Sequence, residues 1–417
     1  MRWIRLFPLM LAAACGGDEP CEGPNGPCTV IEPGPDVQTR AQEALINAQP
    51  GDIILFESGT HELTAGLSLD VPGVTVRGRG MDSTTLSFAG QTDGAEGLLV
   101  TADDFAIERI GVEDSAGDAI KVEGTTGATF REVRVEWTGG PDADNGAYGL
   151  YPVQVTDVLI EDCLVRAASD AGIYVGQSTN IIVRRNRAEH NVAGIEIENS
   201  SGADVHDNTA TGNTGGVLVF NLPGLPVGRG ERTRIFDNQI VDNNEPNFAP
   251  AGNIVGKVPR GTGFAAIAAH QVEIFGNTIE GNLTANLAII SYLTTELDYA
   301  DATYDPYSDT VYIHDNAFGD GGEMPADELG FLVVQALATV LEAPIVVPDM
   351  VIDGHENPEL SADGALLPEF AICIQNNGDA DFADLDVPNS YADVSFDLAA
   401  HDCSHPPLPA ITIAGAP

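Results

Sequence analysis

A short pattern of apolar and polar residues recurs through the middle of the chain. The pattern is apolar-x-apolar-x-x-(Asn or apolar)-x-apolar, and its sixth position falls on Ile110, Val133, Cys163, Asn186, Asn208, Asn238, Asn277 and Asn316. The successive differences are 23, 30, 23, 22, 30, 39 and 39 residues. The shortest spacings suit one turn of three short strands, and the longer ones suit turns with insertions. The repeat therefore predicts one elongated solenoid.

Alternation within each strand predicts which side chains face the interior of this solenoid. It places the asparagines at positions 186, 208, 238, 277 and 316 inside, where they can stack into a hydrogen-bonded ladder. We interpret them as scaffold residues. The predicted fold is all-β, a single-stranded right-handed parallel β-helix with an N-terminal helical cap and a C-terminal cap.

Residues 1–15 resemble the export signal of a bacterial lipoprotein. Two arginines precede an apolar run, Leu6 to Ala14, that is too short to span a bilayer. The sequence Ala-Ala-Ala-Cys15 resembles a lipobox whose usual leucine is displaced to Leu11. The resemblance implies an outer-membrane or cell-surface lipoprotein, attached to the membrane through Cys15 only. The alternative is a plain signal peptide and a periplasmic or secreted protein.

Composition divides the rest of the chain. Residues 16–35 are rich in Pro, Gly and Cys and are predicted to form a linker. Residues 36–104 are predicted to hold the first coils and a capping helix over Val37–Gln49, because their opening resembles that of pectin-degrading parallel β-helix proteins. Without a cap, the end of the solenoid would expose apolar core and unpaired strand edges. Repeats with long insertions are expected over 105–318, and C-terminal coils and a cap over 319–417.

The cysteines fit an exported protein, in which disulfides can form. Apart from the lipobox cysteine there are five. Cys21 and Cys28 are predicted to close a small loop, and Cys373 and Cys403 to staple the C-terminal segment. Cys163 lies inside a repeat and is interpreted as a small buried hydrophobic residue.

The chain is strongly acidic, with 18 Lys and Arg against 63 Asp and Glu and a formal net charge of −45. Such a surface repels polyanions, so we expect no nucleic-acid partner. The charge either solubilises the protein or binds Ca²⁺, since carboxylates on neighbouring strands supply hard oxygen ligands. Calcium is therefore a possible cofactor, but no sequence motif requires a cofactor or fixes a metal site.

Long insertions follow several repeats of the second half. They cover Pro223–Gly230, Asn243–Gly263 and Tyr292–Thr310. Insertions of this length are often functional, and these are expected to emerge from successive coils. They form either one wall of a cleft or a decorated surface.

One column of outward side chains is a candidate binding site. In the strand that opens each unit with Gly, Lys121, Tyr151, Tyr174, Glu196 and Leu218 are expected to stack about 5 Å apart. Tyrosine rings in line with a cation and a carboxylate suit a sugar-binding groove. The alternative is that tyrosine is simply favoured on a strand surface.

Arg184 is expected to point outward on the same coils, within reach of Tyr151, Tyr174 and Glu196. An arginine fork binds carboxylates, which makes a uronic-acid substrate conceivable. The alternative is that this arginine pairs with a neighbouring acidic residue such as Glu161.

The heptapeptide Tyr148–Gln154 resembles a motif of mannuronan C5-epimerases. Tyr148, Gly149 and Pro152 match it, whereas the Asp, His and Glu of the family are replaced by Tyr151, Val153 and Gln154. Lys121, one coil earlier, loosely matches the spacing of the family's lysine. The resemblance implies a related binding groove without the expected catalytic groups. The substrate-binding candidates are therefore Lys121, Tyr148, Tyr151, Tyr174, Arg184 and Glu196, and the catalytic residues are unknown.

Three further stretches, Gly215–Pro226, Asn247–Pro259 and Asn286–Tyr292, resemble a family of secreted bacterial right-handed parallel β-helix repeat proteins of the pectate-lyase-like superfamily. This resemblance implies fold and export and carries over no catalytic residue. The functional hypothesis is an exported protein that binds an extracellular polysaccharide. An enzymatic version would be a lyase, a glycoside hydrolase or an epimerase. The alternative is a non-catalytic protein of the cell envelope, stabilised by calcium. A groove with two carboxylates would favour an enzyme.

Overall fold

The computed structural model describes residues 21–362 and 365–413. The chain winds in successive coils, and each coil adds one strand to a long sheet and up to two strands to a second, bent sheet. Neighbouring coils pair in parallel, as the register of Ile107 with Phe130 and of Phe130 with Ile160 illustrates. The predicted fold class, a right-handed parallel β-helix, is confirmed.

The long sheet contains eleven strands. In chain order they are Ala65–Leu69, Asp93–Val100, Ile120–Glu123, Tyr148–Val153, Ala171–Gly176, Ala193–Glu198, Gly215–Phe220, Thr262–Ile267, Ala285–Ile290, Met350–Ile352 and Phe382–Asp384.

The bent sheet covers the other sides of the solenoid. Its strands are Thr29–Ile31, Ile53–Phe56, Gly59–Glu62, Thr75–Arg77, Thr84–Ser87, Phe105–Glu113, Thr126–Glu136, Thr156–Glu161, Leu164–Arg166, Thr179–Arg184, Arg187–Glu189, Ser201–His206, Thr209–Thr211, Glu231–Phe236, Gln239–Val241, His270–Phe275, Thr278–Glu280, Asp309–His314, Ala317–Phe318 and Ile372–Gln375. Two small hairpins lie outside it, Glu22–Gly23 with Gly26–Pro27 and Ser361–Ala362 with Ala365–Leu366.

The core is the inside of the solenoid, where equivalent side chains of successive coils stack on one another. One buried column consists of Ile107, Phe130, Ile160, Val183, Val205, Ile235, Ile274 and Ile313. Alternation along each strand turns every second side chain toward the interior of the solenoid, which is why the apolar positions of the repeat are two residues apart.

The predicted asparagine ladder is present at the bend between the two strands of a coil. The side-chain oxygen of Asn208 accepts hydrogen bonds from the backbone N–H and the side-chain amide of Asn186, at 2.9 and 3.0 Å. The same pattern continues through Asn238, Asn277, Asn316 and Asn377. The residue before each ladder asparagine is left-handed, for example Asp207 with φ 55°. Asp tolerates that conformation, which explains the recurring Asp-Asn pair.

A second ladder was missed in the sequence. Asn191, Asn213, Asn243 and Asn282 stack in the turn that leads into the long sheet. Each lies against a glycine that is the second residue of a strand of the long sheet. A Cβ on Gly194, for example, would come within 2.8 Å of the Asn213 amide. Those glycines therefore leave room for the second ladder.

Helices and turns close or cover the solenoid. The helix Val37–Asn47 buries Val37, Ala41 and Leu45 against the first coils and ends two residues before the predicted limit. At the other end Leu398 packs against the core. The helix Asp327–Leu337 lies instead on the outer surface of the long sheet, where Ala336 and Leu337 contact Ala285 and Val351. Among residues 21–362 and 365–413, the 3₁₀ turns are Ile254–Lys257, Tyr292–Thr295, Pro368–Phe370, Val387–Asn389 and Leu398–His401.

The described residues contain two disulfides, Cys21–Cys28 and Cys373–Cys403, and Cys163 is buried and unpaired. Cys15 and the export signal lie outside the described residues. Within the described part of the chain, no helix is both long and apolar enough to cross a membrane.

The segment 404–413 runs back along the side of the solenoid. The backbone N–H of Leu408 donates to Glu273 at 2.8 Å, and that of Ile411 donates to Asp204 at 3.0 Å. Both carboxylates face outward from the bent sheet, two coils apart. This segment is therefore a strap on the side of the solenoid, and not a cover for its end.

Candidate functional site

The outward column predicted from the repeat lies on the long sheet. Lys121 pairs with Tyr151, and Glu196 pairs with Tyr174 on one side and Leu218 on the other. The register of the intervening strands places Tyr151 beside Tyr174. The five side chains therefore follow one another along the solenoid axis.

Three tyrosines form a cluster at the N-terminal end of this column. The ring centroid of Tyr148 lies 4.5 Å from those of both Tyr151 and Tyr174, and the latter two are 5.1 Å apart. The Nζ atom of Lys121 lies 5.3 Å from the Tyr151 ring centroid and 3.1 Å from Glu123. Clustered aromatic rings next to a cation offer apolar faces and a polar edge to a ligand.

The Tyr174 side chain crosses over its own strand and is held by hydrogen bonds to Glu198, on the neighbouring strand, and Gln177. Its hydroxyl donates to Oε1 of Glu198 at 2.5 Å, and the Gln177 amide lies 3.2 Å from that hydroxyl. A Cβ on Gly176 would come within 2.4 Å of the Tyr174 ring. Glycine at position 176 therefore allows the ring to lie over the strand and reach Glu198.

Three buried carboxyl groups, Asp170, Glu196 and Glu198, lie beside the tyrosines and are called the carboxyl cluster below. Glu196 and Glu198 are two residues apart on one strand, so both face outward. Asp170 precedes the neighbouring strand and accepts a hydrogen bond from Asn253 at 2.9 Å. Glu196 is only 1% exposed, and its Oε2 has no hydrogen-bond partner among the described residues.

Burial changes the proton affinity of the whole cluster. It raises the pKa of Asp170 and of Glu198 to about 7 each, although hydrogen bonds from Asn253, Tyr148 and Tyr174 oppose the shift. Burial, with Glu198 and Asp170 nearby, also raises the pKa of Glu196 well above its ordinary value. No cation is among the dominant influences on these three groups. The cluster therefore places a proton donor beside a proton acceptor near neutral pH.

Asp118 adds a fourth carboxyl group at the edge of the site. It accepts a hydrogen bond from the backbone N–H of Tyr148 at 3.2 Å. Burial raises its pKa to about 6, while the nearby Lys121 lowers it. Because Lys121, Tyr148 and Tyr151 are only partly buried, this edge is where the cluster approaches solvent.

The second long insertion covers the column instead of standing beside it. Val255 and Val258 of this insertion pack in one apolar group with Tyr174 and Leu218. Tyr174 is consequently only 4% exposed. The column is therefore a covered site that opens toward Lys121, and not the continuous open groove that alternation alone suggests.

Arg184 does not belong to this site, which corrects the expectation from the sequence. It lies on the bent sheet, and its guanidinium contacts Glu161 at 2.7 Å. Arg131 and Arg185 contact the same carboxylate. Although burial acts to raise it, these hydrogen bonds lower the pKa of Glu161 to about 2. Arg184 therefore pairs with Glu161, as the alternative interpretation expected. It does not support a uronic-acid substrate.

The sequence reasoning overlooked Asp170 and Glu198. Glu198 follows Glu196 by two residues in the same strand, so the alternation rule was sufficient to place it on the outward face. Asp170 stands one residue before a strand of the long sheet, where the repeat gives no rule for direction. Its place in the cluster depends on Asn253, in an insertion without periodicity.

The raised pKa of Glu198 predicts a pH-dependent stability. Its folded-state value is about 7 against an ordinary value of 4.5, so the protonated form favours folding. That contribution is complete below the ordinary value and is lost as the pH rises through about 7. Glu198→Gln cannot ionise and should therefore gain on the order of 2 kcal/mol over wild type between about pH 4 and pH 8.

Urea unfolding at several pH values measures this gain, with the exposed Glu123→Gln as the matched control. A stability difference between Glu198→Gln and wild type that stays constant over the range would show that Glu198 ionises normally.

Comparison with known proteins bears on the fold. Residues 93–224 match the family model described as "Right handed beta helix region". The match supports the right-handed β-helix fold described above. The A-module of the mannuronan C-5 epimerase AlgE4 of Azotobacter vinelandii is similar with a TM-score of 0.56, at 14% identity, over 83% of this chain and 92% of that one. No curated protein sequence matches the chain.

Two further solved structures are more distant from this β-helix protein. The A-module of AlgE6, also from Azotobacter vinelandii, has a TM-score of 0.48 at 16% identity, over 68% of this chain and 82% of that one. A family 28 exopolygalacturonase of Yersinia enterocolitica has a TM-score of 0.43 at 13% identity, over 71% and 66%. At these identities the likeness concerns the fold alone.

Proposed function

We propose that this protein binds an extracellular polysaccharide on the outer face of the long sheet, where the site is exposed near Lys121, and cleaves its glycosidic bonds by general acid–base catalysis. The carrying observation is the carboxyl cluster: three buried carboxyl groups beside a tyrosine cluster, one of them with an unpartnered oxygen. The similar A-module of AlgE4 is named as a mannuronan C-5 epimerase, which supports a carbohydrate ligand.

The energetics of the cluster support a functional role. Burying a carboxyl group without a compensating partner costs stability, because the group loses its hydration. Elsewhere in this chain buried carboxylates are compensated, as Glu161 is by three arginines. Glu196 has no such compensation. Perturbed carboxyl groups concentrated at one place are typical of sites selected for chemistry.

The roles of the two glutamates follow from their surroundings. Glu196, whose pKa is raised well above its ordinary value by burial, donates a proton to the glycosidic oxygen as the bond to the leaving sugar breaks. Glu198, with a pKa of about 7, accepts a proton from the water that attacks the anomeric carbon. Tyr174 holds Glu198 in place, and the rings of Tyr148 and Tyr151 pack against sugar faces.

The charge of the site favours a neutral polysaccharide. Four carboxyl groups, Asp118 and the three of the cluster, face the substrate position, and Lys121 is the cation beside them, engaged by Glu123. A uronic-acid chain would meet repulsion there, because like charges in a poorly hydrated site repel strongly. Neutral sugars instead present hydroxyl groups that the carboxyl groups and tyrosines can bind.

Substrate entry requires movement of the covering insertion. Its anchor at the cluster is the hydrogen bond from Asn253 to Asp170, supported by the packing of Val255. Val258 of the same insertion packs there as well. A chain that binds first at Tyr148 and Tyr151 would have to displace these contacts on its way to Glu196. Closure afterwards would exclude water from the reacting bond.

A non-catalytic glycan-binding protein is the second candidate. The tyrosine cluster at the open edge favours it, because stacking on sugar rings needs no chemistry. In this version the covered carboxyl cluster takes no part, and binding is unchanged when Glu196 is replaced.

A screen of neutral and acidic polysaccharides tests the proposal, with and without Ca²⁺ because a calcium requirement stays a prediction. We expect new reducing ends from a neutral polysaccharide and no unsaturated product that absorbs ultraviolet light. Formation of an unsaturated product from a uronan would show that the protein is a lyase and not a hydrolase. Binding without turnover would support the second candidate, and neither binding nor turnover would remove the carbohydrate proposal.

Export and attachment to the membrane through Cys15 belong to the same proposal. They rest on the sequence of the first fifteen residues and on the two disulfides, which form in oxidising compartments. Cell fractionation of the wild-type protein and of Cys15→Ala tests them. Membrane association that is lost in the variant is expected, and identical fractionation of both would contradict lipid attachment.

A further inference from the structure

An apolar cavity of about 70 Å³ lies between the helix Asp327–Leu337 and the outer surface of the long sheet. Its floor consists of outward side chains from four neighbouring strands, and its roof is the helix together with the end of the second insertion. The floor begins at Phe220, which pairs with Glu198 one coil earlier. The cavity therefore follows the carboxyl cluster along the solenoid and contains none of its groups.

Small side chains on the floor leave this space open. Ala265 and Ala288 are paired in register, so two alanines follow one another under the helix. Ala288 and Ile290 stay partly exposed although the helix lies over the sheet there, so packing does not close the floor. A second hollow of about 420 Å³, called the vestibule below, shares Leu329 and Leu332 with the cavity and opens at the surface. The two hollows adjoin at these leucines.

The polar side chains in the cavity wall already have hydrogen-bond partners. The hydroxyl groups of Thr262 and Thr284 donate to backbone carbonyls at 2.7 and 2.6 Å. That of Thr294 donates to Asp353 at 2.5 Å, and the same carboxylate accepts the backbone N–H of Ser291 at 2.6 Å. Water in the cavity would lack partners of its own, and cavities of this kind take up apolar molecules instead.

The surface around the cavity is also apolar. Phe331 lines the vestibule and is 63% exposed. Five of the ten large hydrophobic side chains that are exposed in the described part of the chain lie between positions 324 and 346, in this helix and its flanking turns. Exposed apolar side chains concentrated beside an apolar cavity are typical of a ligand-binding site.

Charge at the vestibule restricts the polar end of such a ligand. Glu296 and Glu328 line the vestibule, and Lys257 pairs with Glu328 at 2.8 Å. Glu296 therefore leaves a negative charge at the mouth, in a chain with a formal net charge of −45. A fatty-acid carboxylate would be repelled there.

We infer that the cavity and its vestibule bind an alkyl chain whose head group is uncharged or cationic. The terminal methylene groups fill the cavity between Ala288 and Val333, the rest of the chain packs against Phe331, and the head group stays in solvent near Glu296. This binding does not depend on the proposed polysaccharide chemistry, because the cavity contains no group of the carboxyl cluster.

Calorimetric titration of the wild-type protein with 1-alkanols from butanol to octanol tests the inference. We expect one saturable site per chain and an affinity that rises about fourfold with each added methylene group. Octyltrimethylammonium should bind at least as tightly as octanol, and octanoate about threefold more weakly. Glu296→Gln should remove the difference between octanoate and octanol.

Two variants fill the cavity from opposite sides, so that a packing defect in one does not decide the result. Ala288→Leu acts from the floor and Val333→Phe from the roof, and each should lose octanol binding while thermal unfolding shows a folded protein. Ala106→Leu is the matched control, because Ala106 is a partly exposed alanine on a strand of the bent sheet. It should bind octanol like wild type. The inference fails if wild type shows no saturable binding, if both filled variants bind like wild type, or if affinity does not change with chain length.

Discussion

Asn208→Ala is expected to lower the free energy of unfolding by about 4 kcal/mol. Removing a ladder asparagine leaves buried polar groups without hydrogen-bond partners, and each such group costs roughly 1–3 kcal/mol. The side chain of Asn208 accepts from the backbone N–H of Asn186 and donates to the carbonyl of Val183. It also donates to the next ladder residue, Asn238. Alanine leaves the N–H and the carbonyl buried and unpaired.

Urea or thermal unfolding of Asn208→Ala measures this loss. Asn47→Ala is the matched control, because Asn47 is exposed at the end of the capping helix and its side chain donates to the nearby carbonyl of Glu43. Its stability should stay within about 0.5 kcal/mol of wild type. If both variants lost equally little, the ladder would contribute nothing beyond ordinary surface asparagines.

Glu196→Gln is expected to lower kcat on a cleaved polysaccharide by about 10²- to 10⁴-fold with little change in KM, because it removes the proton donor and keeps the shape. Glu198→Gln should cause a similar loss by removing the base. In wild type the rate should rise as Glu198 ionises near pH 7.

Asp204→Asn is the control for these two variants. Asp204 is also buried with a raised pKa, caused mainly by burial, but it lies on the bent sheet and holds the C-terminal strap. Its kcat should match that of wild type. A loss of equal size in Asp204→Asn would show that any buried carboxyl group affects the rate through stability, and the acid–base roles would then be unsupported.

The fold was predictable because the interior of a β-helix repeats itself. Ile160, Val183 and Val205 occupy one inward position in successive coils, so the sequence repeats with the geometry. The ladder asparagines were predictable for the same reason. The second ladder was equally predictable: Asn191, Asn213, Asn243 and Asn282 each come five residues after a member of the first ladder, at the same spacings. Their role becomes clear with the glycines that make room for them.

The candidate site was predictable only in part. Alternation correctly placed Tyr151, Tyr174 and Glu196 in one outward column. It could not distinguish the two sheets, which face different sides of the coil, and so Arg184 was assigned to the wrong side. The cover over Tyr174 comes from Val255 and its neighbours, in an insertion with no repeat to anchor a prediction.

The bent sheet offers a competing aromatic surface. The rings of His206, Phe236, Phe275 and His314 stack with centroids 4.6, 4.9 and 5.2 Å apart and nearly parallel. Because each ring face is taken by the next ring, the stack presents mainly edges to solvent. Sugar rings pack on faces, so this surface is a weaker glycan site than the tyrosine cluster.

The crystal structure of Glu196→Gln with an oligosaccharide of its best neutral polysaccharide tests the central claim most directly. The account predicts sugar rings against Tyr148 and Tyr151, with a glycosidic oxygen within hydrogen-bond distance of the side chain at position 196. It also predicts that Asn253 has moved away from Asp170. An oligosaccharide bound on the bent sheet, or one that leaves the tyrosine cluster empty, would contradict it.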